Sequence, residues 1–590
     1  MWKFGLGSSV ILGVVAYGMP SVAGACGGTF CDAAQPTEMP VDQTGETILF
    51  ALDNGYVEAH IQIEYDGGDA DQFAWLVPVP EVPEVEVGSW RLVQAALDGT
   101  RPVYGYEDAQ QCDDDDGGLT AGGGGFLQSP DGGGSTGEPT VVAEDVVGAF
   151  QYAVLEGGSA QTVTDWLQAN DYAVEDEAPA ILDDYIAEGH VFVAFRLRHG
   201  QAVEDIHPVV IRYPGVEPCI PIRLTRVAAK EDMDIRALFL GDARVVATNY
   251  REVRLNRTRL NWAGLGSNYR ELVTMAVDAP GADGRAFVTE YAGSSTVIDG
   301  TGLDTSSFDP AALVGVSVVE VVDVLESQGL LTCDDQGCAW FHELAPSLLH
   351  EFLPVPEGLD EAEFYGCVSC YAPLIDMAAW NEGAFIDAYE ERIVAPLAHG
   401  ADLLKIWPYV TRLYTTISPH EMLSDPMFEE NPALPDVASR HGAQRNLECC
   451  GTSMRLPGGR LVWLDDGSWP TWEAGMPWAE EVIEHAPGGR APVVLADHSA
   501  VIDAALDAWN DAAACDDTGT GTGPGDTTGL DTGLGSDTGE GLGTGGTDTG
   551  PGAGGDEAGT GCGCRAQPTG SGWGLMLLGL GLGWTRRRSS

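Results

Sequence analysis

Glu46-Thr47-Ile48-Leu49-Phe50-Ala51-Leu52-Asp53-Asn54-Gly55-Tyr56-Val57-Glu58-Ala59-His60-Ile61-Gln62-Ile63-Glu64-Tyr65 reads as two strands around a tight turn. Asp-Asn-Gly supplies the residues a hairpin needs at positive φ. On the second strand Val57, Ala59, Ile61, Ile63 and Tyr65 alternate onto one face, which leaves His60 on the polar face and open to solvent. Phe73-Ala74-Trp75-Leu76-Val77-Pro78-Val79-Pro80 is a third strand that ends in prolines, and a helix is expected from Ser89 to Leu97.

Further along, a helix opens at Ser159, and a second runs Ala178–Glu188 with Pro179 in its first turn. Strands are expected at Val191–Leu197, Val209–Tyr213, Ile220–Leu224, Ile235–Leu240 and Arg285–Tyr291. Apolar patterns predict helices at Ala311–Gln328, at Ile375–Ala395 (stopping before Pro396) and at Leu403–Thr416, where Pro408 would kink or split the helix. A strand pair within Arg455–Leu464 and helices at 478–485 and 499–511 complete the reading. Short connections without regular βαβ alternation give an α+β class. Its mixed and antiparallel sheets carry packed helices in two or more subdomains.

The 590 residues allow two to four domains. The expected division is a signal peptide (1–25), an N-terminal β-rich part (26–111), an Asp/Gly-rich disordered loop (112–138), an α+β part (139–300), a helix-rich part (301–448), a C-terminal subdomain (449–515), a Thr/Gly/Asp linker (516–560) and a terminal sorting segment (561–590). The linker cannot bury enough surface to fold. As a flexible coil of about 45 residues its ends would lie roughly 35–40 Å apart, which makes it a stalk.

Lys3, the apolar run Val10–Tyr17 and Ala23-Gly24-Ala25 form a secretory signal, with the mature chain starting at Cys26. At the other end stand Gly561-Cys562-Gly563-Cys564-Arg565, an apolar run from Trp573 to Trp584, and Arg586-Arg587-Arg588. About a dozen helical residues cover roughly 20 Å, short of the ~30 Å of a bilayer core. A sorting signal is therefore the favoured reading over a retained transmembrane helix, with the arginines cytoplasmic.

Against 90 acidic residues there are 29 basic ones, a net charge of −61. No basic stripe exists to neutralise phosphates, so nucleic-acid binding is excluded. An acidic surface keeps an exported protein soluble. Of the thirteen cysteines, setting aside Cys562 and Cys564 leaves an odd eleven. In an exported chain they read as disulfides. Cys26/Cys31, Cys333/Cys338, Cys367/Cys370 and the adjacent Cys449 and Cys450 are the candidates, the last two bonding outward. Cys333, Cys338, Cys367 and Cys370 also have tolerable spacing for zinc, but oxidation outside the cell competes with metal. Asp113 to Asp116 could attract Ca²⁺ weakly without the ligand spacing of a calcium hand. No cofactor is predicted.

Ala25-Cys26-Gly27-Gly28, Gln43–Ala51, Ala59–Ile63 and Phe73–Pro80 resemble a bacterial family catalogued as domain of unknown function 2330. Ile220–Thr225, Asn249-Tyr250, Arg285–Gly293 and Val410–Thr416 fit the same pattern. The likeness spans roughly 25–515 and implies an exported or surface protein with no assigned activity. The tail resembles the MYXO-CTERM sorting signal of myxobacteria. That implies cleavage near Cys562 or Cys564 by a dedicated membrane protease and lipid attachment at a cysteine; with Sec-type export directed by the N-terminal signal, the expected final place is the cell surface or outer membrane after transient residence in the inner membrane.

No catalytic constellation stands out. His342-Glu343 and His350-Glu351 look like half-built zincin motifs, but the histidines lie eight apart with Pro346 between them. Trp469, Trp472 and Trp478 could contact carbohydrate, although Pro470 and Pro477 favour a packed turn. No nucleophile elbow, P-loop or dinucleotide fingerprint occurs. The expected role is a non-catalytic binding or structural one toward an extracellular ligand. The alternative is an extracellular hydrolase or metal-dependent enzyme whose site assembles only in three dimensions.

Overall fold

The structure is a computed structural model. It describes residues 29–31, 42–53, 55–66, 73–109, 140–170, 177–197, 206–334, 337–448 and 451–513. The expected signal, the Asp/Gly loop, the linker and the sorting tail lie outside these. Among the described residues no helix is long and apolar enough to cross a membrane.

The fold is α+β. The quoted hairpin is real: Asp42–Asp53 and Tyr56–Asp66 pair antiparallel, and Gly55 takes the positive φ (+91°) that the turn requires. It lies inside a ten-stranded sheet of order Val493–Asp497, Ala479–Glu484, Arg251–Leu255, Ala286–Ser294, Tyr409–Ile417, Ala229–Gly241, Asp42–Asp53, Tyr56–Asp66, Val209–Pro214, Glu84–Val87. Two pairings are parallel, Ala229–Gly241 with Asp42–Asp53 and Arg251–Leu255 with Ala286–Ser294.

Both faces of the central strands of this sheet are covered, as their apolar sequences demand. One face, through Ile48, Phe50, Val57, Ala59 and Ile61, packs on Trp75, Val77, Val193 and Phe195 of a five-stranded antiparallel sheet. The opposite face, through Leu49, Ala51, Leu238 and Val410, packs under helices that carry Leu92, Leu348, Phe385 and Leu397. The outer face of the five-stranded sheet is closed by helices Ala160–Ala169 and Ala178–Ala187. A third core joins the Arg251–Leu255 end of the large sheet to a four-stranded sheet of order Leu461–Leu464, Gly451–Arg455, Arg440–Glu448, Val103–Asp108.

Local signals hold where side chains cap. Ser89 accepts from Leu92 N at the head of helix Trp90–Thr100, and Ser159 forms a capping box with Thr162. Elsewhere tertiary packing overrides the pattern. Ile220–Leu224, expected as a strand, contains the helical turn Ile222–Thr225. Of the helix expected over Ala311–Gln328 only Val321–Ser327 forms, after a 3₁₀ turn at Pro310–Leu313, because β-branched valines resist helix.

The helix expected to stop at Ala395 continues to Ile406. A π turn at Glu390–Val394 lets it pass Pro396, whose missing N–H breaks the regular ladder. The helix expected at Leu403–Thr416 is instead the end of that helix followed by strand Tyr409–Ile417, split at Pro408. Residues 478–485, expected helical, form strand Ala479–Glu484.

Candidate functional site

A cleft of about 730 Å³ opens where the four-stranded sheet meets the large one. Its walls come from strands Val103–Asp108 (Tyr104), Arg251–Leu255 (Glu252), Ala286–Ser294 (Glu290) and Arg440–Glu448 (His441), with the loop at 435–438 along one side.

Each wall residue is placed by backbone geometry. A β-bulge falls between Thr289 and Tyr291 where Ala286–Ser294 pairs with Tyr409–Ile417, and Glu290 is the extra residue. A bulge re-aims its side chain. Glu290 is buried, accepts the Tyr269 hydroxyl at 2.7 Å and is held by Arg412. Glu252 is gripped by Arg244 at 2.9 and 3.0 Å and by His485 at 2.7 Å. Burial pushes this carboxyl up, but the His485 hydrogen bond and the Arg244 charge overcome that and hold it below its ordinary range. Arg244 also reaches Thr289 Oγ1 and the Pro435 carbonyl, yet its buried Nε has no partner among the described residues.

Tyr104 and His441 are register partners in a parallel pair, with rings stacked at 5.1 Å. Burial, helped by the nearby Arg257 charge, lowers His441 to about 4, so the ring is neutral. Tyr104 and Tyr269 are raised by burial and stay protonated.

Arg257 stands on a clamped turn. Thr258 N donates to Asn256 Oδ1 at 3.1 Å, Asn256 Nδ2 donates to the Pro477 carbonyl at 2.7 Å, and Trp262 Nε1 donates to the Arg257 carbonyl at 2.9 Å. The turn is fixed; the half-buried guanidinium makes no hydrogen bond or ion pair among the described residues. The other cleft arginines are engaged: Arg254 with Glu481 at 2.5 Å, and Arg460 with Glu480 and Asp503 at 2.8 Å. Neither serine nor cysteine lines the cleft among the described residues.

Residues 20–313 match the model of a family described as "Uncharacterized protein conserved in bacteria (DUF2330)". That span, just under half of the chain, is similar to the DUF2330 family. No curated protein and no solved structure matches the chain. The DUF2330 match contains Tyr104, Glu252, Arg257, Tyr269 and Glu290, whereas Arg412, His441 and Arg460 come from beyond it. Strand Tyr409–Ile417 also lies beyond the DUF2330 match, yet it sits between two of that segment's strands.

Ala23, Ala25, Cys26, Cys449, Cys450, Cys562, Cys564, Arg586, Arg587 and Arg588 lie outside the described residues, as does Asp113 to Asp116. Cys31 ends strand Thr29–Cys31, opposite Phe73. Cys333–Cys338 and Cys367–Cys370 are disulfides, so all four sulfurs considered for zinc are engaged. Cys219 is free, and burial raises its thiol well above the ordinary value. His342 is buried and its Nδ1 accepts from Leu344 N at 3.2 Å; His350 pairs with Glu361 at 3.0 Å and Glu351 with Arg392 at 2.7 Å. Trp469 and Trp472 both donate to the Thr258 carbonyl, and Arg259 stacks on Trp478 at 3.9 Å, so these tryptophans hold the Arg257 turn.

The sequence reading missed the cleft because its residues span 102–503. It also placed His60 in solvent; the ring is 1% exposed, because helices cover that face of the sheet.

Proposed function

We propose that this protein is an exported envelope protein whose ectodomain binds a small anionic molecule in the cleft between the large and four-stranded sheets. The reading rests on one observation: Arg257 presents a half-buried guanidinium beside Tyr104 and His441 with no partner among the described residues, while the other cleft arginines are already engaged. A guanidinium fork suits a carboxylate, sulfate or phosphate oxygen pair. The Tyr104 ring offers a flat apolar wall. The expected secretory signal and the MYXO-CTERM-like tail support presentation of this cleft outside the cell.

The test is calorimetric titration of the mature chain with a dicarboxylate, a sugar phosphate and a sulfated disaccharide, each beside its neutral counterpart. At least one anion should bind while its neutral counterpart does not. Arg257→Gln should weaken binding roughly 10- to 100-fold, the worth of a hydrogen bond to a charged group, with the melting temperature unchanged. Equal binding of neutral and charged partners, or full affinity in the variant, overturns the reading. Mass spectrometry of the two mature termini checks processing after Ala25 and near Cys562 or Cys564.

A further inference from the structure

A second polar cluster lies far from the cleft in the fold, on the helix-covered face of the large sheet. Glu58 and His60 are two apart on strand Tyr56–Asp66, so both side chains leave the same face. His399 comes down onto them from helix Ala395–Ile406. Glu58 Oε1 lies 2.8 Å from His60 Nε2 and 2.6 Å from His399 Nε2, and the three candidate ligand atoms all fall within 4.8 Å of one another. The two imidazoles are stacked at 5.9 Å. Glu58 and His60 are buried, with side chains 7% and 1% exposed, whereas His399 is 40% exposed and stands at the solvent boundary.

We infer that Glu58, His60 and His399 form a binding site for one zinc-class divalent ion. Two neutral imidazole nitrogens and one carboxylate oxygen are a donor set that zinc takes up with its fourth position left open. Here the open position faces outward past His399. Ligand bonds of about 2.0–2.2 Å at tetrahedral angles need donor atoms roughly 3.4 Å apart. The present 2.6 and 2.8 Å contacts are hydrogen bonds. Loading the ion requires each ring to carry its one proton on Nδ1, any second proton passing to solvent; the freed Nε2 atoms then bind the ion and those contacts widen by about 0.7 Å, a shift that His399 can absorb at the surface side.

The surroundings favour the carboxylate as a ligand. Arg212 Nε lies 3.9 Å from Glu58 Oε2, the oxygen facing away from the imidazoles, and Glu84 takes up part of its charge at 3.3 Å. That contact orients the carboxylate in the way outer-shell partners orient metal ligands. One outer contact is missing: His60 Nδ1 is buried with no partner among the described residues. Its loss places the affinity about 10- to 100-fold below that of a fully supported site.

The full chain, stripped with a chelator and with free thiols alkylated, is titrated with Co²⁺ and with Zn²⁺ against a chromophoric competitor. The expected result is one tight equivalent with the intense visible bands of tetrahedral Co²⁺. His399→Ala should lose that equivalent or weaken it by more than about 100-fold, a larger loss than an outer-shell change brings, with circular dichroism unchanged. Arg257→Gln should leave metal binding as it was, which separates this site from the cleft. Diffuse binding removed by salt, or a tight equivalent that survives His399→Ala, identifies adventitious capture by the acidic surface and overturns the assignment. Glu58→Gln provides a second, near-isosteric variant with the same expected loss.

Discussion

Asp425 Oδ1 accepts the Tyr185 hydroxyl at 2.9 Å across 240 positions of sequence. The same carboxylate takes the backbone N–H of Arg223 at 2.9 Å and its Nε at 2.8 Å, and Arg223 lies over the Tyr185 ring at 4.1 Å. One side chain thus ties the outer helices to the loop that precedes Phe428–Glu430. Asp425→Ala leaves a buried phenol and a partly buried backbone donor without acceptors, while Arg223 keeps Glu188 at 2.6 Å. The expected cost is about 2–4 kcal/mol, read as a fall in melting temperature. Asp425→Asn, which keeps an acceptor, should cost less.

Glu46 is buried, its Oε2 has no partner among the described residues, and burial raises its carboxyl to about 7. A carboxyl raised on folding binds its proton more tightly in the native chain. Its contribution to stability is present below about pH 4.5 and lost as pH rises toward 7. Glu46→Gln removes that loss. The variant should match the parent near pH 4 and exceed it near pH 8 by on the order of 3 kcal/mol. Parallel denaturation curves at the two pH values check this, and an unchanged difference between them would refute it.

His207 has the opposite sign. It is fully buried, its Nδ1–H donates to the Pro208 carbonyl at 2.7 Å, and its Nε2 accepts from Ala149 N at 3.1 Å. Both nitrogens are satisfied in the neutral ring, and burial lowers it to about 4. Its stabilising contribution is complete above about pH 6.5 and is lost as pH falls toward 4. In His207→Gln, stability should decline less steeply over that interval than in the parent, despite a lower starting value. An identical slope would show that the ring does not govern acid sensitivity.

Gly99 sits in helix Trp90–Thr100 where a Cβ would come 2.4 Å from the Val297 carbonyl oxygen. Alanine normally favours a helix over glycine. Here the backbone of a neighbouring segment would have to retreat, so Gly99→Ala should destabilise by about 1–3 kcal/mol. A thermal scan gives the sign directly.

A chain cut after Leu313, at the end of the family match, would lack strand Tyr409–Ile417. Ala286–Ser294 and Ala229–Gly241 would then face each other as bare edges, which invite aggregation. The expected product is insoluble or lacks the tertiary signal of the full chain, as size-exclusion chromatography and near-ultraviolet dichroism will report.

Much of the fold was legible where local chemistry and burial agree. The Asp53-Asn54-Gly55 turn, the Ser89 and Ser159 caps and the apolar run Val191–Leu197 all declared their structure. The errors share a cause. In Tyr409–Ile417 the burial pattern is nearly continuous, since helices cover one face and a second sheet the other. A strand buried on both sides loses its alternation and can pass for a helix. His60 was misread for the same reason: a polar residue on an alternating strand points to water only when nothing covers that face. The cleft and the Glu58, His60 and His399 cluster were illegible because pairing, not spacing, assembles them.

Synthesis runs from the amino end, and the middle of the large sheet is supplied late. Until Tyr409–Ile417 has emerged, the two flanking groups of strands cannot join, and the helical stretch between Ser295 and Ile406 must be held clear of the gap it will later roof. The last-arriving central strand therefore acts as a keystone, and premature closure of the earlier strands on one another is the characteristic way for this chain to go astray.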